Sequence, residues 1–151
     1  EPAPFYKKVV EFEGNCDRLQ HYEVRYPSHA LIKAVFTPAG TGGEDGPLHS
    51  QTFIMDSYNF MTPVTEKTTR YYWFQLRNIR PGDEALSKMM SEDVRNAFEE
   101  DRAVLNEVQI GLDEKTSPHI DLPIDGGQLR FRRQLQAMIN EEREVDAQMA
   151  Q

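Results

Sequence analysis

The stretch "RYYWFQLRNIRPGDEALSK" (residues 70–88) contains the change of pattern that decides the fold class. Its first half is extended in character, with Tyr71 and Trp73 alternating with other apolar residues so that both faces are largely apolar or aromatic. We therefore predict a central strand here, buried on both faces. The "RPGD" that follows predicts a turn, and Asp83 is a plausible N-cap for a helix.

Strand-like segments precede this stretch along most of the N-terminal half. They are short, rich in Val, Ile, Tyr and Phe, and separated by turn residues. The connection "TEK" predicts a tight hairpin, whereas the glycine-rich "AGTGGEDGP" (39–47) predicts a flexible loop that lacks the Lys-Ser or Lys-Thr of a phosphate-binding loop. The predicted strands are 6–13, 21–27, 30–38, 50–64 and 67–79.

Helices follow the strands. The apolar spacing predicts one long helix over about 83–113, with a break near Ser91 as an alternative, and a last helix from Leu129 to about 140. Two prolines and several polar residues predict a loop at 116–123, and the polar C-terminal tail is expected to fray. Antiparallel strands followed by a long helix predict an α+β domain whose sheet packs on or wraps that helix.

Composition restricts the class of protein. The 151 residues suit one domain, and 38% hydrophobic with 28% charged residues is typical of a soluble globular protein. A net charge of −8 argues against nucleic acid or an anionic membrane as a partner. The single cysteine, Cys16, excludes an internal disulfide and a cysteine-based metal cluster within the chain. No apolar run reaches membrane-spanning length. Because there is one cysteine and the first residues lack the apolar core of a signal peptide, a reduced cytoplasmic setting is expected.

Asp101 is the least expected residue of the long helix. By helical spacing it falls in the middle of a predicted buried stripe, and no basic residue lies three or four positions away. Three explanations stay open: the position is at a wet edge of the stripe, an arginine from elsewhere reaches it, or it binds a metal ion. The candidate arginines are Arg130, Arg132 and Arg133, and the stripe is formed by Val94, Phe98, Leu105, Val108 and Leu112.

Other candidate residues carry weaker signals. Asn59 lies among apolar residues of a strand, where its amide either bonds to the backbone or faces a ligand cavity. No two of the four histidines have the spacing of a metal-ligand pair. No serine or cysteine lies near a histidine in a way that suggests a catalytic nucleophile. The residues alone therefore do not assign a reaction.

Three segments together resemble the C-terminal part of Rieske non-haem iron oxygenases. They are "YNFMTPVTEKTTRYYWFQLRN" (58–78), "AFEEDRAVLNEVQ" (97–109) and "GGQLRFRRQLQAMINEE" (126–142). The pattern is most similar to the branch of vanillate O-demethylase and dicamba demethylase oxygenase components, and it extends from about 25 to 142.

The resemblance implies a role for particular residues. Asp101 corresponds to the carboxylate of a 2-His-1-carboxylate Fe(II) site, which keeps positions open for O2 and substrate. Asn59 and Ile32 correspond to residues of the substrate pocket. The implied fold is a helix-grip, START-like domain, in which a curved antiparallel sheet surrounds a long helix.

The resemblance also implies partners and an activity. The complete protein would receive electrons from a reductase or ferredoxin through a Rieske 2Fe–2S cluster and would hydroxylate or O-demethylate an aromatic substrate. The family usually forms homotrimers.

Two features of the family are not found in this sequence. There is no H-x4-H pair for the iron, and the Cys-x-His and Cys-x-x-His pairs of the cluster are absent. We therefore expect residues 1–151 to be a single domain that forms the C-terminal portion of an oxygenase catalytic domain, with the Rieske domain and the iron histidines outside this chain. Two alternatives are a non-catalytic module that binds a small molecule and an interaction subunit that uses an exposed aromatic strand.

Overall fold

The structure, a computed structural model, describes residues 1–41, 47–114 and 120–150. Its centre is a four-stranded antiparallel sheet in the order β1-β2-β3-β4. The strands are β1 (Cys16–Arg25), β2 (His29–Pro38), β3 (Phe53–Thr65) and β4 (Thr68–Arg77). The helices are α1 (Pro4–Lys7), α2 (Glu84–Glu114) and α3 (Gly126–Met149), with a 3-10 turn at Pro123–Asp125.

The long helix α2 begins where the sequence predicts. The Asp83 carboxylate accepts a hydrogen bond of 2.9 Å from the backbone N–H of Leu86, which is the bond expected of an N-cap aspartate. The Arg77 guanidinium at the end of β4 donates to the Ser87 hydroxyl at 3.0 Å and to the Asp83 carbonyl at 3.0 Å. These bonds connect the last strand to the first turn of the helix.

One face of the sheet carries α2, and we call it the helix-side face. Side chains on this face belong to residues that are cross-strand partners or lie two positions apart along a strand. Phe36 and Phe53 are such partners, and both are fully buried. They pack with Val9 and with Leu86 and Met90 of α2 to form the hydrophobic core.

Further along, α2 follows β4 in the opposite direction. The ring of Phe98 meets those of Tyr71 and Trp73 edge-on, with centroids 5.4 and 5.3 Å apart. Near the helix end, Lys67 in the β3–β4 hairpin forms an ion pair of 2.8 Å with Asp113. The helix is thus held to the same strand at its beginning, middle and end.

The predicted strand at 6–13 is wrong. Residues Pro4–Lys7 form α1, and the backbone N–H groups of Val9 and Val10 both donate to the Tyr6 carbonyl. The local turn brings Tyr6 and Val9 onto Phe36, so their apolar character serves core packing rather than strand pairing.

The prediction that residues 67–79 form a central strand is correct in type and wrong in position. β4 lies at one edge of the described sheet, and Tyr72 and Phe74 on the face opposite to α2 are 54% and 47% exposed. The aromatic content of both faces therefore does not reflect burial within this chain.

The helix predictions are confirmed with different ends. α2 is continuous through Ser91, and α3 extends to Met149 because its last residues are mostly good helix formers such as Glu, Arg, Ala and Gln. Parts of the predicted loops at 39–47 and 116–123 lie outside the described residues. The α+β class is as predicted, and within the described chain no helix is long and apolar enough to cross a membrane.

Candidate functional site

The two predicted pocket residues share the helix-side face. Asn59 of β3 pairs with Ala30 and Trp73, and Ile32 of β2 pairs with Ser57. Because Ala30 and Ile32 are two positions apart on one strand, the side chains of Ile32 and Asn59 are diagonal neighbours. They lie beyond the packed core, on the part of the face that Phe98 approaches.

The amide of Asn59 is buried and bonded to protein groups. Asn59 is 2% exposed. Its side-chain nitrogen donates to the carbonyls of Ala30 at 3.3 Å and of Ser57 at 3.1 Å. Its oxygen accepts a hydrogen bond of 2.6 Å from the Tyr71 hydroxyl. The first of the two interpretations of Asn59, an amide satisfied within the fold, therefore describes its hydrogen bonds.

The sequence indicated Tyr71 only as part of the alternation in β4. In the structure it lies between Asn59 and helix α2. Its hydroxyl reaches Asn59 while its ring contacts Phe98. The pKa of Tyr71 is raised, first by burial and then by the negative charge of Asp101. Asp101 is therefore close enough to Tyr71 for its charge to act on the hydroxyl.

The prediction that Asp101 lies within a buried stripe is wrong for this chain. Asp101 is exposed, and the apolar residues around it are exposed as well, with Leu105 at 64% and Val108 and Leu112 at 51%. The stripe is buried only up to Val94, because the core ends there and the helix continues over the open part of the sheet face.

The arginine explanation of Asp101 is not supported. Among the described residues no arginine forms an ion pair with it, and the contact of α3 with the sheet region is a stack of Phe131 on Tyr26 at 5.5 Å. Of the three explanations, the wet position matches the exposure seen in this chain, and the metal explanation depends on groups outside it.

Asp101 does not form a metal site with other residues of this chain. Within residues 1–41, 47–114 and 120–150, no three His, Cys, Asp or Glu side chains converge as metal ligands. A facial triad needs two histidines beside the carboxylate, so the described chain supplies at most one ligand to such an iron.

The opposite face of the sheet, which we call the outer face, carries an aromatic row. Phe74 stacks on Tyr58 at 4.8 Å and on Phe60 at 5.9 Å. A cavity of about 230 Å³ adjoins this row and is lined by Arg25, His29, Ala30, Leu31, Tyr58, Asn59 and Phe60. On β4, Trp73 points toward α2, whereas Tyr72 and Phe74 point to the outer face.

The family of the chain follows from comparison with known sequences. The family of the vanillate O-demethylase oxygenase C-terminal domain matches residues 1–141. The chain therefore belongs to this family and corresponds to the C-terminal portion of a Rieske oxygenase.

Curated relatives agree with that assignment. The chain is 30% identical to a vanillate O-demethylase oxygenase subunit of Pseudomonas sp., with 97% of this chain and 46% of the relative covered. It is 32% identical to a putative toluene-4-sulfonate monooxygenase system iron-sulfur subunit of Comamonas testosteroni, with 81% of this chain and 36% of the relative covered. The chain thus spans less than half the length of these relatives, and no solved structure matches it significantly.

Proposed function

We propose that this chain is the substrate-binding half of the catalytic domain of a Rieske-type oxygenase component. In this proposal residues 1–151 form one domain, and Asp101 is the carboxylate ligand of a mononuclear Fe(II) whose two histidines come from outside the chain. Ile32 and Asn59 belong to the pocket for an aromatic substrate. The sheet and α2 are then part of a helix-grip, START-like fold.

The observation that carries the proposal is the link from Asp101 through Tyr71 to Asn59, which consists of an electrostatic effect and one hydrogen bond. The charge of Asp101 acts on the Tyr71 hydroxyl, and that hydroxyl donates to Asn59 at 2.6 Å. The proposed metal ligand on α2 therefore lies near the proposed pocket residue Asn59, beside the open part of the helix-side face. The carboxylate is exposed, so it is available to a cation.

The names of the relatives support the wider role. They are oxygenase and iron-sulfur subunits, and on that ground we propose a Rieske 2Fe–2S cluster elsewhere in the full-length protein. A reductase or ferredoxin would supply electrons, and O2 and an aromatic compound would be the substrates. Bound Fe(II) would supply the O2 chemistry, while this chain contributes one ligand and a shaped pocket. A homotrimer in the cytoplasm completes the proposal.

The iron assignment is tested in the full-length protein that contains this chain. After anaerobic reconstitution, iron per chain is measured for the wild type, for Asp101→Ala and for Glu100→Ala. Glu100 is the matched control, since it is an exposed acid next to Asp101 in the same helix. We expect Asp101→Ala to lose the mononuclear iron while keeping the visible absorbance of the cluster, and Glu100→Ala to keep both. Equal mononuclear iron in all three proteins would contradict the assignment.

An interaction subunit is the second candidate function. It is favoured by the exposed aromatic and apolar residues on the outer face of β4, where Tyr72, Phe74 and Leu76 are between 47% and 54% exposed. The molecular mass of this chain at high dilution tests it, and a monomer would remove it. The third possibility, a binding module without catalysis, is separated from the proposal by the same iron measurement.

A further inference from the structure

We propose that Tyr71 positions the substrate by accepting a hydrogen bond from a hydroxyl group of the aromatic ring. This inference rests on the proposed function, because it places the aromatic substrate on the open part of the helix-side face. It gives the polar contact with the ligand to Tyr71 rather than to Asn59, the pocket residue that the resemblance implied.

The hydrogen-bond inventory of Asn59 determines the direction of the Tyr71 hydroxyl. The two atoms near the Asn59 nitrogen are the backbone carbonyls of Ala30 and Ser57, and a carbonyl can only accept. The amide NH2 must therefore face them, and the amide oxygen must face Tyr71. An amide oxygen can only accept, so the Tyr71 hydrogen is committed to it at 2.6 Å.

The Tyr71 oxygen can still accept hydrogen bonds. A phenolic oxygen has two lone pairs, and no described residue donates to that of Tyr71. Tyr71 is 44% exposed, whereas Asn59 is 2% exposed. A ligand on this face therefore meets Tyr71 rather than the Asn59 amide, and the hydrogen-bonding capacity left on the Tyr71 hydroxyl is that of an acceptor.

The position of the hydroxyl is fixed from two sides. Phe98 holds the ring edge-on at 5.4 Å, and the bond to Asn59 holds the oxygen. A pre-oriented acceptor costs little to order when the ligand binds, which improves its selectivity for a donor.

The acceptor character of the Tyr71 oxygen restricts the ligand group that can pair with it. A carboxylate or sulfonate of the ligand can only accept, so it forms no hydrogen bond with this oxygen. A donor such as a ring hydroxyl is favoured. The structure thus assigns to Tyr71 the recognition of the hydroxyl end of the substrate.

The test measures binding to the full-length protein under anaerobic conditions by calorimetry. The probes are 4-hydroxy-3-methoxybenzoate, 4-amino-3-methoxybenzoate, which donates but accepts poorly, and 3-methoxybenzoate, which lacks the donor. The wild type should bind both donor probes about three to ten times more tightly than 3-methoxybenzoate, the usual effect of one hydrogen bond. Tyr71→Phe should bring the three dissociation constants together by weakening the donor probes alone.

Tyr72→Phe is the matched control. It removes the same hydroxyl one residue further along β4, on the outer face, and should keep the wild-type preference. A Tyr71→Phe protein that weakens all probes equally would show a merely structural role and overturn the inference. Should Tyr71→Phe fail to fold, the wild type still decides, because equal affinity for the three probes, or binding of none, also overturns it.

The iron measurement on Asp101→Ala is independent of these affinity ratios. A lost hydroxyl preference with iron retained by Asp101→Ala would leave the role of Tyr71 supported and the iron assignment refuted. The reverse result would refute the role of Tyr71 alone.

Discussion

The two ends of the helix-side face are formed by the same strands and the same helix, but their side chains differ in burial and polarity. At one end Phe36 and Phe53 are fully buried under α1 and the first turns of α2. At the other end, beyond Val94, the helix leaves most of its apolar side chains exposed, and Tyr71 and Asn59 form a polar contact. We call these the packed end and the open end.

The difference teaches where stability and recognition reside. The packed end buries apolar area, which is the main source of folding free energy. The open end leaves the ring of Tyr71 and the apolar residues of α2 accessible, while its one buried amide is fully engaged. Mutations at the two ends should therefore differ in size and in kind.

The largest effect is expected at the packed end. Phe53→Ala removes a fully buried ring and should lower the free energy of unfolding by about 3–5 kcal/mol. Phe74→Ala is the matched control, since its ring is 47% exposed on the outer face, and it should cost much less. Urea unfolding followed by circular dichroism measures both. Similar losses for the two variants would show that the packed end is not the main source of stability.

A smaller effect is expected at the open end. Asn59→Ala removes a buried amide and leaves the carbonyl of Ala30 without that donor, so we expect a loss of about 1–3 kcal/mol in the same unfolding experiment. Gln75→Ala is the matched control, because Gln75 lies on the helix-side face of the neighbouring strand β4 and is only partly buried. It should change the free energy of unfolding little. If Gln75→Ala were the more costly variant, the hydrogen bonds of Asn59 would not organise the open end.

The smallest effect is a pH dependence that compares one tyrosine from each end. Burial raises the pKa of Tyr6 at the packed end, and Arg18 partly opposes it. Burial also raises the pKa of Tyr71, and the charge of Asp101 raises it further. An ultraviolet titration of tyrosinate should show that Asp101→Asn lowers the pKa of Tyr71 and leaves Tyr6 unchanged. An unchanged Tyr71 would show that Asp101 does not act on it.

The sign of the stability change follows from these directions. A tyrosine with a raised pKa holds its proton more tightly when folded than when unfolded. The stabilisation from Tyr71 is therefore complete below the ordinary pKa of 10.0 and is lost as the pH rises from there through the folded value. Tyr71→Phe should remove its part of this alkaline loss, and the part from Tyr6 should remain.

Much of the fold was predictable from local patterns. The alternation in β2, β3 and β4 and the N-cap at Asp83 are short-range signals, and each gave its element within a few residues. The segment around Val9 was not predictable, because its apolar residues are explained by packing on Phe36, which is distant in sequence. The edge position of β4 was likewise not predictable, because it depends on which strands pair within the sheet.

The site was predictable only in part. The alternation correctly placed Tyr71 with Trp73 on one face, and the resemblance singled out Asp101, Asn59 and Ile32. Helical spacing could not reveal that Asp101 is exposed, since a stripe shows which residues share a helix face and not whether anything covers it. The bond from Tyr71 to Asn59 joins two strands and has no signal along the chain.

The edge position of β4 has a consequence for handling the protein. Among the described residues β4 is hydrogen-bonded to β3 alone, so the amide and carbonyl groups along its other border are free to pair with an extended segment. Such a border, ten residues long and flanked by exposed rings, is a template for intermolecular strand addition and aggregation. Concentrated solutions of this chain by itself should therefore be prone to forming ordered β-rich assemblies.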